Sequence, residues 1–277
     1  MQQKEAQKLW LIAPAALMVS LFFLYPLCFS LYSAVTLDGA LTLSHLDKAF
    51  ELYSKDMLFT VIIVLVSVML LAILSISIAA LITLSPFRSV VGILGFLYRL
   101  PLFIPFIVAA QMMRTFLAKN GLMNNAFVAS GLMTPMDTIS FLGWSGIIIT
   151  FVWKQLAFST LLISGAMAAL DDAQIRAARN LGASRLRILF GIILPQIAPS
   201  LGVALVLSTV TMMSVLSVPM MIGTGTPTMI SADMAFRVDS YGDYHVANAL
   251  GLVSYLICAG LAWFYLRQSL KDKGATA

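Results

Sequence analysis

Residues able to do chemistry are few in this chain, and most of them stand apart. Asp233, Asp239 and Asp243 crowd one polar segment beside Tyr241 and Tyr244. Carboxylates at that density can attract a cation or dock a basic protein surface, but a solvated loop is the more frequent meaning of such charges. His45 and His245 lie in separate segments without a spaced ligand set, so no metal site is read from them. Cys28 and Cys258 both fall in apolar stretches, which excludes a disulfide framework or a thiolate cluster. Gly223-Thr224-Gly225-Thr226-Pro227 has the glycines of a phosphate loop. It lacks the Gly-Lys-Ser/Thr ending and follows an apolar helix rather than a strand, so it reads as a turn. No nucleophile, base and orienting acid are arranged for catalysis, and the clustered ligands of a membrane enzyme are missing. The chain therefore reads as a non-enzyme with no catalytic residue, no metal and no cofactor of its own.

Three cations remain inside long apolar runs: Arg99, Arg114 and Lys154. Charge within a membrane costs ~3 kcal/mol on insertion scales, so such a residue faces a cavity or partner, or snorkels to water from a span end. Arg99 reads as interfacial. Arg114 and Lys154 are candidates for a translocation path, with snorkelling equally open. Ser208, Thr211, Met212 and Val215 recur at helical spacing and form a moderately polar stripe. Such a stripe lines a path or packs between helices.

The elements that would carry these residues follow from composition. Over 277 residues, 60% are hydrophobic and 10% charged, which excludes a soluble globule. The net charge of +5 says less than the positions of the charges, and nucleic acid is not expected as a partner. A helix crossing the hydrocarbon needs ~20 mostly apolar residues. Stretches 9–35, 57–84, 91–117, 141–170, 188–222 and 246–266 meet that requirement. The uncharged run from Leu9 to Leu37 exceeds the ~7–15 residues of a signal-peptide core, so it reads as a retained span, bent at Pro14 and Pro26. The run from Ile188 to Ala232 is too long for one helix. Gly223, Gly225 and Pro227 mark its break, and part of 220–232 is expected as a loop or a partly inserted segment. The longest polar stretches are 36–56, 118–140 and 223–245. Short connections elsewhere imply one domain, 1–277.

Basic residues set the orientation. With both termini cytoplasmic, the inside segments hold Lys4, Lys8, Arg88, Arg176, Arg179, Arg185, Arg187, Arg267, Lys271 and Lys273, and the outside loops hold Lys48, Lys55, Lys119 and Arg237. The positive-inside rule favours this arrangement. It places the polar segment 171–187, set between two apolar stretches, in the cytoplasm. Asp171 offers an N-cap oxygen there, and Gln174 three residues on is spaced to answer it in a capping box. Gly182 stands where a helix ends in a left-handed residue, and the chain then reverses before the apolar run near Ile188. Ile175, Ala178 and Gly182 fall on one side of this helix while Arg176 and Arg179 point elsewhere, as for a helix packed on protein. A basic turn against anionic headgroups is the alternative.

The spacing of Ala177-Ala178, Gly182 and Ile192-x-Leu194-Pro195 resembles the EAA signature of permease subunits in binding-protein-dependent type I ABC importers. Arg176 stands where that family's usual Glu would be. The resemblance implies an all-α, polytopic, MetI-like permease fold of about six spans, in the inner membrane. It implies that Ile175, Arg176, Ala177, Ala178, Arg179, Gly182, Ala183, Leu194 and Pro195 form a coupling helix and its flanks, docked into a cytoplasmic ATPase. It further implies two ATPase subunits holding ATP and Mg, a second permease chain of the same or a related kind, and an extracytoplasmic solute-binding protein. Ala177 through Ser184 and Leu24-Tyr25-Pro26 look nearest to the polyamine and small-solute branch. A secondary transporter or channel not driven by ATP is the alternative, against which the lack of an evident inverted repeat argues.

Overall fold

Apolar runs of membrane length become helices because only a helix satisfies its own backbone in hydrocarbon. The computed structural model describes residues 12–225 and 227–274. Lys4, Lys8, the first residues of the span expected from residue 9, and Thr226 lie outside the described residues. Helix α1 runs over Ile12–Ala34 and is followed by a small antiparallel hairpin, β1 Thr36–Leu37 and β2 Ala40–Leu41. Asp38 (φ 50°) and Gly39 (φ 82°) give this hairpin its turn, since two left-handed central residues match the strand twist. Helix α2 covers Ser44–Leu84. It starts well before the expected 57–84 span because the polar turns ahead of Met57 are themselves helix-forming. Its 41 residues reach about 60 Å, twice a hydrocarbon thickness of ~30 Å.

The stretch expected as a span at 91–117 is not one continuous helix. Helix α3, Arg88–Leu97, a tight 3₁₀ turn at Leu100–Phe103, and helix α4, Phe106–Leu117, are followed by α5, Leu122–Ala129. The stretches Arg88–Phe103 and Phe106–Ala129 meet at 111°. Pro101 and Pro105 cause the break, because neither can donate the backbone bond that would continue the helix. Then come α6, Trp144–Ala168, α7, Asp172–Asn180, α8, Arg185–Ser214, and the short α9, Ser217–Ile222. Helix α10, Ile230–Tyr241, occupies much of the stretch expected as polar loop, and α11, Tyr244–Gly274, ends the described chain. The expected 188–222 span is thus two helices, divided where Val215 is extended (φ −76°, ψ 122°). Five described helices are long and apolar enough to cross a membrane, six if the bent pair is one span.

Two prolines are absorbed by the same device. Ahead of Pro26 the helix widens to a π turn at Ser20–Leu24, and ahead of Pro195 it does so at Leu189–Ile193. The amides of Tyr25 and Leu194 reach back five residues, to Ser20 and Leu189. Widening lets the ring pass without stranding the next donors.

Packing groups the chain into two compact units. One is Met1–Ser54 with Asp233–Leu256; the other is Lys55–Ala232 with Ile257–Ala277. In the first unit the Ser30 hydroxyl donates to Asn248 Oδ1 (2.8 Å). In the second, Ile63, Val64 and Leu71 of α2 share a core with Phe151 of α6, Met212 of α8 and Ile222 of α9. Gly146 permits this contact, since a Cβ there would stand 2.5 Å from Phe141 O and 2.8 Å from Ile222 Cγ2. The break at residues 223–229 is held by α2. Asp56 Oδ1 accepts the Thr228 amide, and Thr60 accepts the Ile230 amide (3.0 Å) while donating to Asp56 O (2.7 Å). Both side chains are buried, so these bonds satisfy donors that water does not reach.

Candidate functional site: the hairpin between α6 and α8

Helix α7 starts at Asp171, whose carboxylate accepts the Ala173 amide (2.8 Å). Asp172 in the first turn and Arg179 in the last complement the helix dipole. The expected capping box is only half formed. The Gln174 carbonyl oxygen instead accepts from Gln196 Nε2 (2.9 Å), whose other hydrogen goes to Ile192 O (3.0 Å). Gln174 therefore ties α7 to α8 rather than closing its own cap.

At the other end Gly182 adopts φ 80°. The Ala183 amide donates to Ala178 O and the Gly182 amide to Arg179 O, each at 3.0 Å. This is a Schellman motif, completed by the apolar pair Ala178 and Ala183 on the core beneath. Ser184 then caps α8 by accepting the Arg187 amide (3.3 Å), so the second arm starts before the expected Ile188. A Ser ahead of a basic first turn was the sequence signal for that earlier start.

The two faces of the hairpin differ in kind. Ile175 is buried and joins Leu84, Ile163, Met167, Ile188 and Ile193, with Ala178, Ala183 and Leu194 packed against the same cluster. Burying that one side chain stabilises the arrangement by ~1.5–3 kcal/mol. Arg176, Ala177, Arg179 and Pro195 lie exposed. Arg176 pairs with Asp172 at 3.9 Å, both side chains being mostly exposed, a contact worth ~0–1 kcal/mol. Leu181 at the tip is 89% exposed and Leu186 67% exposed. Sequence reasoning missed Leu181 because a residue between a helix end and its glycine carries no periodic signal.

The path candidates separate. Arg114 donates to Met221 O (2.7 Å), placing a cation at the C-terminal end of α9, where the dipole favours it. Ser208 is fully buried and pairs with Ser159 (3.2 Å), and Met212 lies in the core. The Thr211 hydroxyl turns back to Leu207 O (2.8 Å), and Val215 lies beyond the end of α8. Ser208 and Met212 of the stripe are therefore spent on packing within the chain, while Thr211 and Val215 stay partly exposed. Lys154 is buried in mid-helix with its ammonium 4.9 Å from the ring centroid of Phe106.

In the other unit, the carboxylates read as solvated prove partly engaged. Asp243 caps α11 by accepting the Val246 amide (3.2 Å), and it takes Lys48 Nζ at 2.8 Å and Arg237 at 3.7 Å. Arg237 stands over the rings of Tyr53 and Tyr241 and donates to the Tyr53 hydroxyl. Burial raises the Asp243 pKa, but the Lys48 and Val246 hydrogen bonds and the charges of Lys48 and Arg237 outweigh it, leaving the carboxyl below its ordinary range. A group lowered in the folded state contributes stability that is complete above its unfolded pKa of ~3.9 and is lost as pH falls through the folded value. Thermal unfolding from pH 7 down to 3 should therefore show a decline that Asp243→Asn, which keeps a cap but no charge, lacks in part. A variant with the wild-type slope would remove Asp243 as its source. His45 and His245, read as separate, stack at 4.7 Å. No third metal-binding residue joins them among the described residues.

A helical multi-pass chain with a polar hairpin between two spans is the architecture of an importer permease. One chain of a bacterial alginate ABC transporter, solved in complex with an alginate pentasaccharide-bound periplasmic protein, superposes with a TM-score of 0.81 at 22% identity, covering 97% of both chains. That likeness shows the fold. Residues 8–269 match the model of the binding-protein-dependent transport system inner membrane component family, and the chain belongs to that family. It is 27% identical over 286 aligned residues to the sulfoquinovosyl glycerol transport system permease protein SmoG of Agrobacterium fabrum, covering 93% of this chain and 88% of that one. It is 29% identical over 184 residues to the probable ABC transporter permease protein y4fN of Sinorhizobium fredii, covering 66% of this chain. The match spans about a third (32%) of that relative's length. The chain is thus a permease component of a binding-protein-dependent transport system of the inner membrane.

Proposed function

We propose that this chain is the permease of an importer for a carbohydrate, delivered by an extracytoplasmic binding protein and moved by two cytoplasmic ATPase subunits that hold ATP and Mg. A second permease chain completes the path. The observation that carries the solute class is the match to the sulfoquinovosyl glycerol permease over 93% of this chain. The alginate-transporter likeness supports it, and the polyamine branch expected from residues 177–184 finds no support among these relatives. Both termini are cytoplasmic in this reading, which the basic residues favour. The hairpin then meets the ATPase, with Ile175, Ala178, Ala183 and Leu194 seating it and Arg176, Ala177, Arg179 and Leu181 facing the partner. Closure of the ATPase pair pushes the hairpin and biases a bistable helix bundle between two openings.

The test is to purify the chain with its neighbouring subunits and load the binding protein with a solute panel. Carbohydrates are expected to stimulate ATP hydrolysis, and polyamines are not. Failure to recover any ATPase partner would sink the coupling role, and stimulation by polyamine alone would sink the carbohydrate.

A further inference from the structure

We propose that the break in the third span and Lys154 together form an anion subsite at mid-membrane depth, which takes the carboxylate or sulfonate of an acidic carbohydrate. This deepens the carbohydrate reading and rests on it. Lys154 is the eleventh residue of α6, about 15 Å along a helix that crosses a hydrocarbon layer of ~30 Å. It is 8% exposed. Among the described residues its ammonium has no hydrogen bond and no ion pair, only the Phe106 ring at 4.9 Å. A buried ammonium ordinarily brings its counter-charge with it.

Phe106 is also the first residue of α4, the helix that begins where the span is broken. No side chain caps that helix, and its first backbone bond runs from Ala109 to Pro105 O (2.9 Å). The amides of Phe106, Ile107 and Val108 therefore have no acceptor among the described residues. A helix start carries about half a positive charge, so a second positive end belongs to the residue whose ring Lys154 faces. An anion is the ligand that satisfies both, as discontinuous membrane helices do for carboxylate solutes. There is room for the rest of a sugar nearby. A mostly apolar groove of about 590 Å³ is lined by Gln111, Met112, Met113, Thr115 and Phe116 of α4, by Leu122, and by Trp153, the residue before Lys154. The rings of Trp153 and Phe116 offer apolar faces that suit a pyranose ring, with Gln111 and Thr115 as its polar neighbours. Alginate is an acidic polysaccharide and sulfoquinovose a sulfonated sugar, so two proteins similar to this chain handle acidic carbohydrate.

The test uses the assembled importer and free glucuronate as probe, with glucose as the neutral control. Glucuronate is expected to raise the wild-type Tm by about 2 °C or more, and glucose not to do so. Lys154→Arg keeps the shift and Lys154→Met loses it. Lys154→Met removes a buried charge without a counter-ion and should fold at least as well, which its unliganded Tm checks. In proteoliposomes with the loaded binding protein, Lys154→Met is expected to lower the ratio of acidic to neutral carbohydrate uptake about tenfold or more. An equal glucuronate shift in Lys154→Met, or an equal shift with glucose, overturns the subsite. Uptake of neutral carbohydrate alone also overturns it while leaving the carbohydrate importer standing. Stimulation by non-carbohydrate solutes only overturns both.

Discussion

Gly182→Val is expected to leave the chain inserted and the importer assembled, to abolish most solute uptake, and to leave ATP hydrolysis running without transport. The cause is conformational rather than steric. A Cβ at Gly182 would meet nothing within 4 Å, but its φ of 80° is one that L residues rarely adopt. A left-handed residue costs ~1–2 kcal/mol, and a β-branched side chain costs more. That is a factor of about 5–30 in the population of the closed hairpin. The Ala183 and Gly182 bonds to Ala178 and Arg179 open together, and α7 loses its fixed angle to α8. A graded series separates this cause from loss of a contact. Gly182→Asn should stay near wild type because Asn tolerates the left-handed region, Gly182→Ala should fall between, and Gly182→Val should be lowest. Uptake per ATP hydrolysed in proteoliposomes is the readout. Wild-type stoichiometry in Gly182→Val would refute the hinge.

Why this glycine was legible and the broken span was not is a matter of range. Gly182 is determined locally, since helix-ending glycines and caps act within a few residues, and the Schellman bonds formed as its position implied. Asp171 was likewise read correctly, whereas Gln174 found a better partner in Gln196, distant in sequence and invisible to a local rule. Membrane length was readable from apolar runs because the lipid sets one threshold for every span. The 111° break was not, because proline is tolerated in many membrane helices. Pro26 and Pro195 were absorbed in π turns, while Pro101 and Pro105 stand at the starts of the 3₁₀ turn and of α4. Pro195 and Pro199 are also four residues apart and stay inside α8, so proline spacing alone does not foretell the break. The polar stripe on α8 was a true periodicity, but a period cannot say whether a face meets solvent or Ser159. Lys154 could be seen as costly in the sequence, and only the break in the third span gave that cost a second positive partner.

Leu181→Asp is expected to uncouple by a different route, with the hairpin folded and its partner lost. Leu181 is 89% exposed and contributes little to this chain's own packing, so an Asp there changes stability by about 0.5 kcal/mol or less. A large apolar side chain held out at the end of a rigid turn is nonetheless costly to leave in water, and docking is what removes it from water. In the docked state the Asp must shed its hydration without a built partner, beside a helix C-terminus that repels it. The loss expected is ~2 kcal/mol or more, about thirtyfold in affinity for the ATPase. Leu181→Met, which keeps the volume and the apolar character, should hold the ATPase as wild type does. Retention of the ATPase on the purified permease during dilution reads this directly, and the Tm of the permease alone shows that the fold is intact. Leu181→Asp with full ATPase retention would place the contact elsewhere on the hairpin. The two variants then divide the work of the turn. On the proposed coupling, Gly182 sets the direction in which ATPase motion is passed on, and Leu181 sets whether the ATPase is held at all. An importer defective at Gly182 should retain the ATPase and waste ATP, and one defective at Leu181 should shed the ATPase on dilution.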